Sequence, residues 1–242
     1  MKIYVVGIGA GSEDGMTANA RKILENADVI VGYTLYAELV KKFLPDKEYF
    51  ISGMKQEKER CTAALQMASQ GKRVAVVCSG DAGVYGMASL VYEIADAYDD
   101  VEVYVIPGVS AMLSGGALVG APLGHDFAVI SLSDLLTPWE VIEKRLECAA
   151  MADFAICLYN PSSKKRADYL KKACDIILNY RDAKTVCAAA KNIGRESEEY
   201  SVMTLDGLRE YKADMFTTVF IGNSMTKKIN GKMVTPRGYK NV

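Results

Sequence analysis

The 242-residue chain is predicted to be an α/β protein built as two α/β domains. Three observations predict it. Short, continuously apolar runs such as Val74-Ala75-Val76-Val77 alternate with amphipathic segments from the first residues onward, the pattern of a mostly parallel sheet covered on both faces. The alternation breaks at Ala121–Asp126, where a proline, a glycine and the chain's one histidine separate two apolar runs, and then restarts. After Tyr200 the strands follow with shorter connections, so the second half is predicted to hold a mixed sheet. The predicted domains are therefore 1–121 and 122–242.

In the first domain Lys2–Ile8 is a β-rich run, and Thr17 is the expected N-cap of a helix reaching Ala27. Val29–Gly32 is a short buried strand, Tyr36–Phe43 a helix and Glu48–Ile51 another strand. Glu57–Gln70 is a helix stopped by Gly71. The strand Arg73–Cys78 leads into a glycine-rich loop, followed by a helix over Tyr85–Tyr98 and the strand Val101–Ile106. Pro107-Gly108 then turns the chain into a small-residue helix, Val109–Gly120. In the second domain Phe127–Ser131 is a strand, and Thr137-Pro138-Trp139-Glu140 reads as a capping box opening a helix to Ala150. Phe154–Tyr159, Lys164–Asn179 and Thr185–Lys191 continue as strand, helix and strand. Thr217–Ile221 is a late strand, and Asn230-Gly231 closes a hairpin.

Composition removes several classes of function. Lysine and arginine total 29 against 30 acidic residues, a net charge of −1, which supplies no general attraction to phosphate backbones and argues against a nucleic-acid partner. With His125 alone, no multi-histidine metal centre is expected. The six cysteines include no C-x-x-C pair, so neither a zinc ribbon nor a dithiol redox motif is present. Met1-Lys2 leads straight into strand-like Ile3–Val6 rather than a signal peptide, which points to the cytoplasm. Val103–Gly124 is uncharged and long enough to span a bilayer, yet its two prolines and five glycines fit strand, turn and helix instead.

The glycine-rich loops carry the functional signal. Gly7-Ile8-Gly9-Ala10-Gly11 follows the first strand, but the third glycine of a dinucleotide fingerprint is missing, and the second strand ends in Tyr33-Thr34 rather than an acid. Nicotinamide and flavin are thus disfavoured. Ser79-Gly80-Asp81-Ala82-Gly83-Val84-Tyr85-Gly86 ends a buried strand, at the edge where open α/β sheets bind ligands. Asp81 there either accepts hydrogen bonds from a ligand amine or ribose, or serves as a turn-forming aspartate. Pro107-Gly108-Val109-Ser110-Ala111 ends the next strand with the same small-residue character. Together the two loops favour a small-molecule site.

These three loops resemble the N-terminal signatures of the tetrapyrrole (precorrin) methylases, the class III S-adenosylmethionine-dependent methyltransferases. Leu158-Tyr159-Asn160-Pro161, Lys191–Arg195 and Phe220–Ser224 continue the resemblance in order, so that it spans nearly the whole chain. Ala10 and Ala82 stand where the family usually has proline. The resemblance implies two α/β domains with the active site in the cleft between them, bound as a homodimer. It implies S-adenosylmethionine as cosubstrate, held by Gly80, Asp81, Ala82, Val84, Ser110, Ala111, Tyr159, Asn160 and Ile193. Leu123–Phe127 and Ser131–Trp139 are similar to the branch that methylates carbon 17 of precorrin-3B or cobalt-factor III, with ring contraction, in cobalamin biosynthesis. The implied substrate is a tetrapyrrole, with or without cobalt.

Methyl transfer to an electron-rich ring carbon asks chiefly for alignment and exclusion of water. Ring contraction also asks for a proton acceptor, and His125, Asp126 and Asp134 are the candidates, with Asp81 a fourth. The structural alternatives are a linker residue for His125 and a pre-helix turn for Asp134. Lys191, Arg195 and the cluster Lys164-Lys165-Arg166 are either solvated or partners for substrate carboxylates, and Trp139 is expected to anchor packing between the domains.

Overall fold

A strand that is apolar on both faces needs cover on both, and the first half of the chain supplies it. In the computed structural model, which describes residues 1–163 and 166–239, one compact unit covers Met1–Ala111. Its elements are β1 (Lys2–Gly7), α1 (Ala18–Asn26), β2 (Val29–Tyr33), α2 (Thr34–Lys41), β3 (Glu48–Ser52), α3 (Glu57–Ser69), β4 (Val74–Cys78), α4 (Ala88–Ala95) and β5 (Glu102–Ile106). The five strands form an all-parallel sheet in the order β3-β2-β4-β1-β5. Alternate residues of β4 face opposite ways: Val74 and Val76 pack with Leu65 of α3 and Val91 of α4, and Ala75 and Val77 with Leu24 of α1 and Val40 of α2. Thr17 caps α1 as expected, accepting from Ala20 N–H at 3.1 Å.

The second unit, Met112–Val242, takes up the helix α5 (Ala111–Val119) and contains β6 (Gly120–Ala121), β7 (Phe127–Ser131), α6 (Trp139–Met151), β8 (Ala155–Tyr159), α7 (Tyr169–Ile177), β9 (Val186–Lys191), β10 (Glu199–Thr204), α8 (Leu205–Arg209), β11 (Thr217–Ile221), β12 (Lys227–Ile229) and β13 (Lys232–Val234). Its main sheet runs β10-β9-β11-β8-β7, with β7 and β8 parallel and the other pairs antiparallel, which is the mixed sheet expected. Residues of α6, α7 and α8 cover one face. On the other face α5 comes close: a Cβ on Gly115 would lie 2.8 Å from Ile193 Cδ1 and 3.3 Å from the Phe220 ring. A small sheet β12-β13-β6 completes the unit, its hairpin turning through Asn230-Gly231.

Several expectations shift. The units divide ten residues before the expected 121/122 boundary, because α5 packs with Ile193 and with Phe220 of β11 and β6 pairs with β13. The helix expected from Tyr85 starts at Ala88, since Tyr85 has φ +52° and belongs to the loop after β4. The capping box at Thr137 does not form: Pro138 is the N-cap of α6 and offers no side-chain bond. The helix expected from Lys164 begins at Tyr169, and Lys164 and Lys165 lie outside the described residues. Trp139 packs on the second unit's own core, its ring 4.6 Å from that of Tyr169.

Candidate active site

Three loops meet at the C-terminal edge of the first unit's sheet. Gly9 and Gly80 exchange backbone hydrogen bonds, Gly80 N–H to Gly9 O at 2.7 Å and Gly9 N–H to Gly80 O at 3.1 Å. Gly80 has φ +68°, a conformation that side chains disfavour. A Cβ on Gly7 would lie 2.7 Å from both Gly108 N and Gly80 O, so the approach of the three loops requires glycine there. The Asp81 carboxylate ties the loops together. Its Oδ1 accepts from Gly83 N–H at 2.8 Å and Val84 N–H at 3.2 Å, and its Oδ2 from Gly108 N–H at 2.9 Å. Of the two roles open to Asp81, the geometry displays the turn-forming one. Ala82 is fully buried in the core, and its carbonyl accepts from Ala88 N–H at the start of α4. Val84 is half-buried in the same loop.

Ser110 is the exception in this edge. It is 3% exposed, its Cα would lie 3.5 Å from a Cβ on Gly80, and its Oγ has no hydrogen-bond partner. A buried hydroxyl without a partner carries its full desolvation cost, roughly 1–3 kcal/mol, which a ligand atom would offset. Ala111 follows it and opens α5.

In the second unit the C-terminal ends of the parallel pair β7 and β8 gather a polar cluster. Tyr159 ends β8, and its Oη accepts from Met112 N–H at 2.8 Å. Asn160 has φ +53° and donates from Nδ2 to Ser131 Oγ at 2.9 Å. Asp134 accepts from Tyr169 Oη at 2.6 Å and lies 3.5 Å from Arg166, whose Nη1 also donates to Ser133 Oγ at 2.6 Å. The Asp134 carboxylate holds the Tyr169 phenol above its ordinary value. Ile193 is buried next to α5.

His125 and Asp126 lie elsewhere. They precede β7, whereas Asp134 follows it, and five strand residues put these positions about 17 Å apart. His125 Nδ1 accepts from Asp126 N–H at 2.8 Å, while the Asp126 carboxylate stands off at 3.7 Å. The expected acid–base candidates are thus split between opposite ends of one strand. Lys191 is taken up by Asp214 at 3.2 Å and Glu199 at 3.5 Å, and Arg195 stacks over Phe216. The Asp134 partner Tyr169 gave no sequence signal, because it lies 35 residues away.

Other chemistries find little support here. Burial pushes the Cys61 thiol up to about 12 and the Cys78 thiol to about 11, which keeps both from acting as thiolates near neutral pH. Among the described residues no group of three or more His, Cys, Asp or Glu could hold a metal ion, and no helix is long and apolar enough to cross a membrane.

Residues 2–209 match the family model of the tetrapyrrole (corrin/porphyrin) methylases. The chain belongs to this family. A Salmonella typhimurium relative named probable cobalt-factor III C(17)-methyltransferase is 48% identical over 98% of this chain and 99% of its own length. A Sinorhizobium relative named precorrin-3B C(17)-methyltransferase is 39% identical over 98% of this chain and 96% of its own. The crystal structure of the methyltransferase CobJ superposes with a TM-score of 0.88 at 38% identity, covering 97% of this chain and 99% of that one.

Proposed function

We propose that this chain methylates carbon 17 of cobalt-factor III or precorrin-3B from S-adenosylmethionine, with contraction of the ring, and that it works as a cytoplasmic homodimer. The observation that carries the reading is the buried, unpartnered Ser110 Oγ beside the glycine backbone of Gly80, at the ligand-binding edge of a family member's parallel sheet. The residues fit the cosubstrate: a hydroxyl in want of a partner, and loops whose glycines let a ligand approach the main chain closely. Gly80, Val84, Ser110 and Ala111 would hold it there, with Asp81 and the buried Ala82 acting behind them by fixing the loop. On the second unit Tyr159, Asn160 and Ile193 are the candidates for cosubstrate contact. S-adenosylmethionine supplies an electrophilic methyl group on a sulfonium.

The protein's own work is positioning and one proton. Rigid loops locked by Asp81 hold their groups without further reorganisation. For the proton released in ring contraction we assign Asp134, which stands on the same sheet edge as Tyr159 and Asn160 and is oriented by Tyr169 and Arg166. The relative named for cobalt-factor III is nearer in identity than the one named for precorrin-3B, which supports the cobalt-bearing substrate as the first to test.

A nicotinamide-dependent reading is opposed by Tyr33 at the end of β2, where a ribose would want an acid. Thermal unfolding separates the two, because a ligand stabilises the fold that binds it. S-adenosylhomocysteine is expected to raise the melting temperature and NAD to leave it unchanged. Stabilisation by NAD alone would overturn the proposal.

A further inference from the structure

Buried charges in folded proteins are ordinarily paired, because a bare charge removed from water is costly. Arg60 departs from this. It lies in the first turn of α3 and is 3% exposed. Its Nε donates to Ser52 Oγ at 2.8 Å and its Nη2 to Gly53 O at 2.8 Å, and the Tyr33 ring centroid is 5.9 Å from its Cζ. All three partners are neutral. Glu57, three residues earlier, turns its carboxylate to Lys55 N–H at 3.2 Å instead. Among the described residues Arg60 has no ion pair, and its Nη1 has no hydrogen bond and is not closed off from solvent.

Its position is as informative as its missing partner. Tyr33 and Ser52 are register partners that end β2 and β3, so Arg60 stands at the C-terminal edge of the first unit's sheet. This is the edge that carries Gly80 and Ser110. β3 is two strands from β4, about 10 Å along that edge. The charge of Arg60 is felt at Cys78, the last residue of β4.

We infer that Arg60 binds a carboxylate arm of the substrate, an inference that rests on the polycarboxylated tetrapyrrole substrate proposed above. A guanidinium nitrogen donates a charge-assisted hydrogen bond to a carboxylate oxygen, and a site largely closed to water strengthens the pair. Ser52 and Gly53 hold the fork, leaving Nη1 for the incoming oxygen. Charge then meets charge at one end of the edge while the methyl donor lies toward β4 and β5.

The test compares wild type with Arg60→Gln and Arg60→Lys in methyl-transfer kinetics with cobalt-factor III, together with S-adenosylhomocysteine affinity by calorimetry. Arg60→Gln should raise the tetrapyrrole KM about tenfold to a hundredfold, the loss of a charged hydrogen bond, while S-adenosylhomocysteine affinity stays unchanged. Arg60→Lys, which keeps the positive charge, should recover part of that loss. An unchanged KM in Arg60→Gln, a lysine variant no better than the glutamine one, or a joint fall in both affinities would each overturn the inference. If Arg60→Gln does not fold, Arg60→Met keeps the buried stem and replaces it in the same comparison. Wild-type protein that turns over no tetrapyrrole would instead overturn the substrate reading itself, which separates the two failures.

Discussion

Ser110 and Asp81 share one sheet edge and do opposite things. Asp81 spends both carboxylate oxygens on backbone amides, whereas Ser110 Oγ is buried with nothing to bond. Removing an unpartnered buried hydroxyl should not destabilise the fold, but it should remove a contact to the cosubstrate. Ser110→Ala is therefore expected to keep or raise the melting temperature while weakening S-adenosylhomocysteine about threefold to tenfold, as for one neutral hydrogen bond. Calorimetry showing wild-type affinity would remove Ser110 from the site. The role of Asp81 was only half readable from its type, since its partner Gly108 is 27 residues distant and belongs to another loop. A residue type limits what a side chain can do; the loop that reaches it decides.

At the scale of elements, the start of β2 is pinned to the start of β4. The Asp28 carboxylate takes hydrogen bonds from Arg73 Nη2 at 2.6 Å and from its backbone N–H at 2.8 Å, which hold its pKa down to about 2 from an ordinary 3.8. A folded value below the unfolded one means the stabilisation is present above the unfolded pKa and fades as pH falls through the folded one. Asp28→Asn should thus be less stable than wild type at neutral pH, with the gap in urea midpoint closing between about pH 4 and pH 2. A gap that is constant with pH would show that the ion pair contributes nothing.

The length of β7 carries a second prediction at this scale. Asp134 stands at one end with Asn160, and His125 at the other. Asp134→Asn should slow ring-contracted product formation on the order of a hundredfold with S-adenosylhomocysteine affinity intact, and His125→Ala should turn over as wild type. The opposite ranking would move the proton acceptor to His125. Element types were readable because strands such as β4 are buried on both faces. Helix starts were less so. Tyr85 continues an apolar pattern, yet a loop shaped by Asp81 holds it at φ +52°.

For the whole molecule, the parallel first sheet and the mixed second one follow from local patterning, because each strand's burial is written in its own residues. The division between units does not. In the sequence Gly115 and Gly116 are only small residues of a predicted helix, but Gly115 lies where a Cβ would press on Ile193 and Phe220, partners about 80 and 105 positions later in the chain. Long-range packing of this kind leaves no local signal. The central claim, methyl transfer to carbon 17, is tested most directly by incubating the purified protein with methyl-labelled S-adenosylmethionine and cobalt-factor III, then with precorrin-3B, and locating the label by NMR. The account predicts the label on carbon 17 of a ring-contracted product; a label on another ring carbon, or none from folded protein that binds S-adenosylhomocysteine, would contradict it.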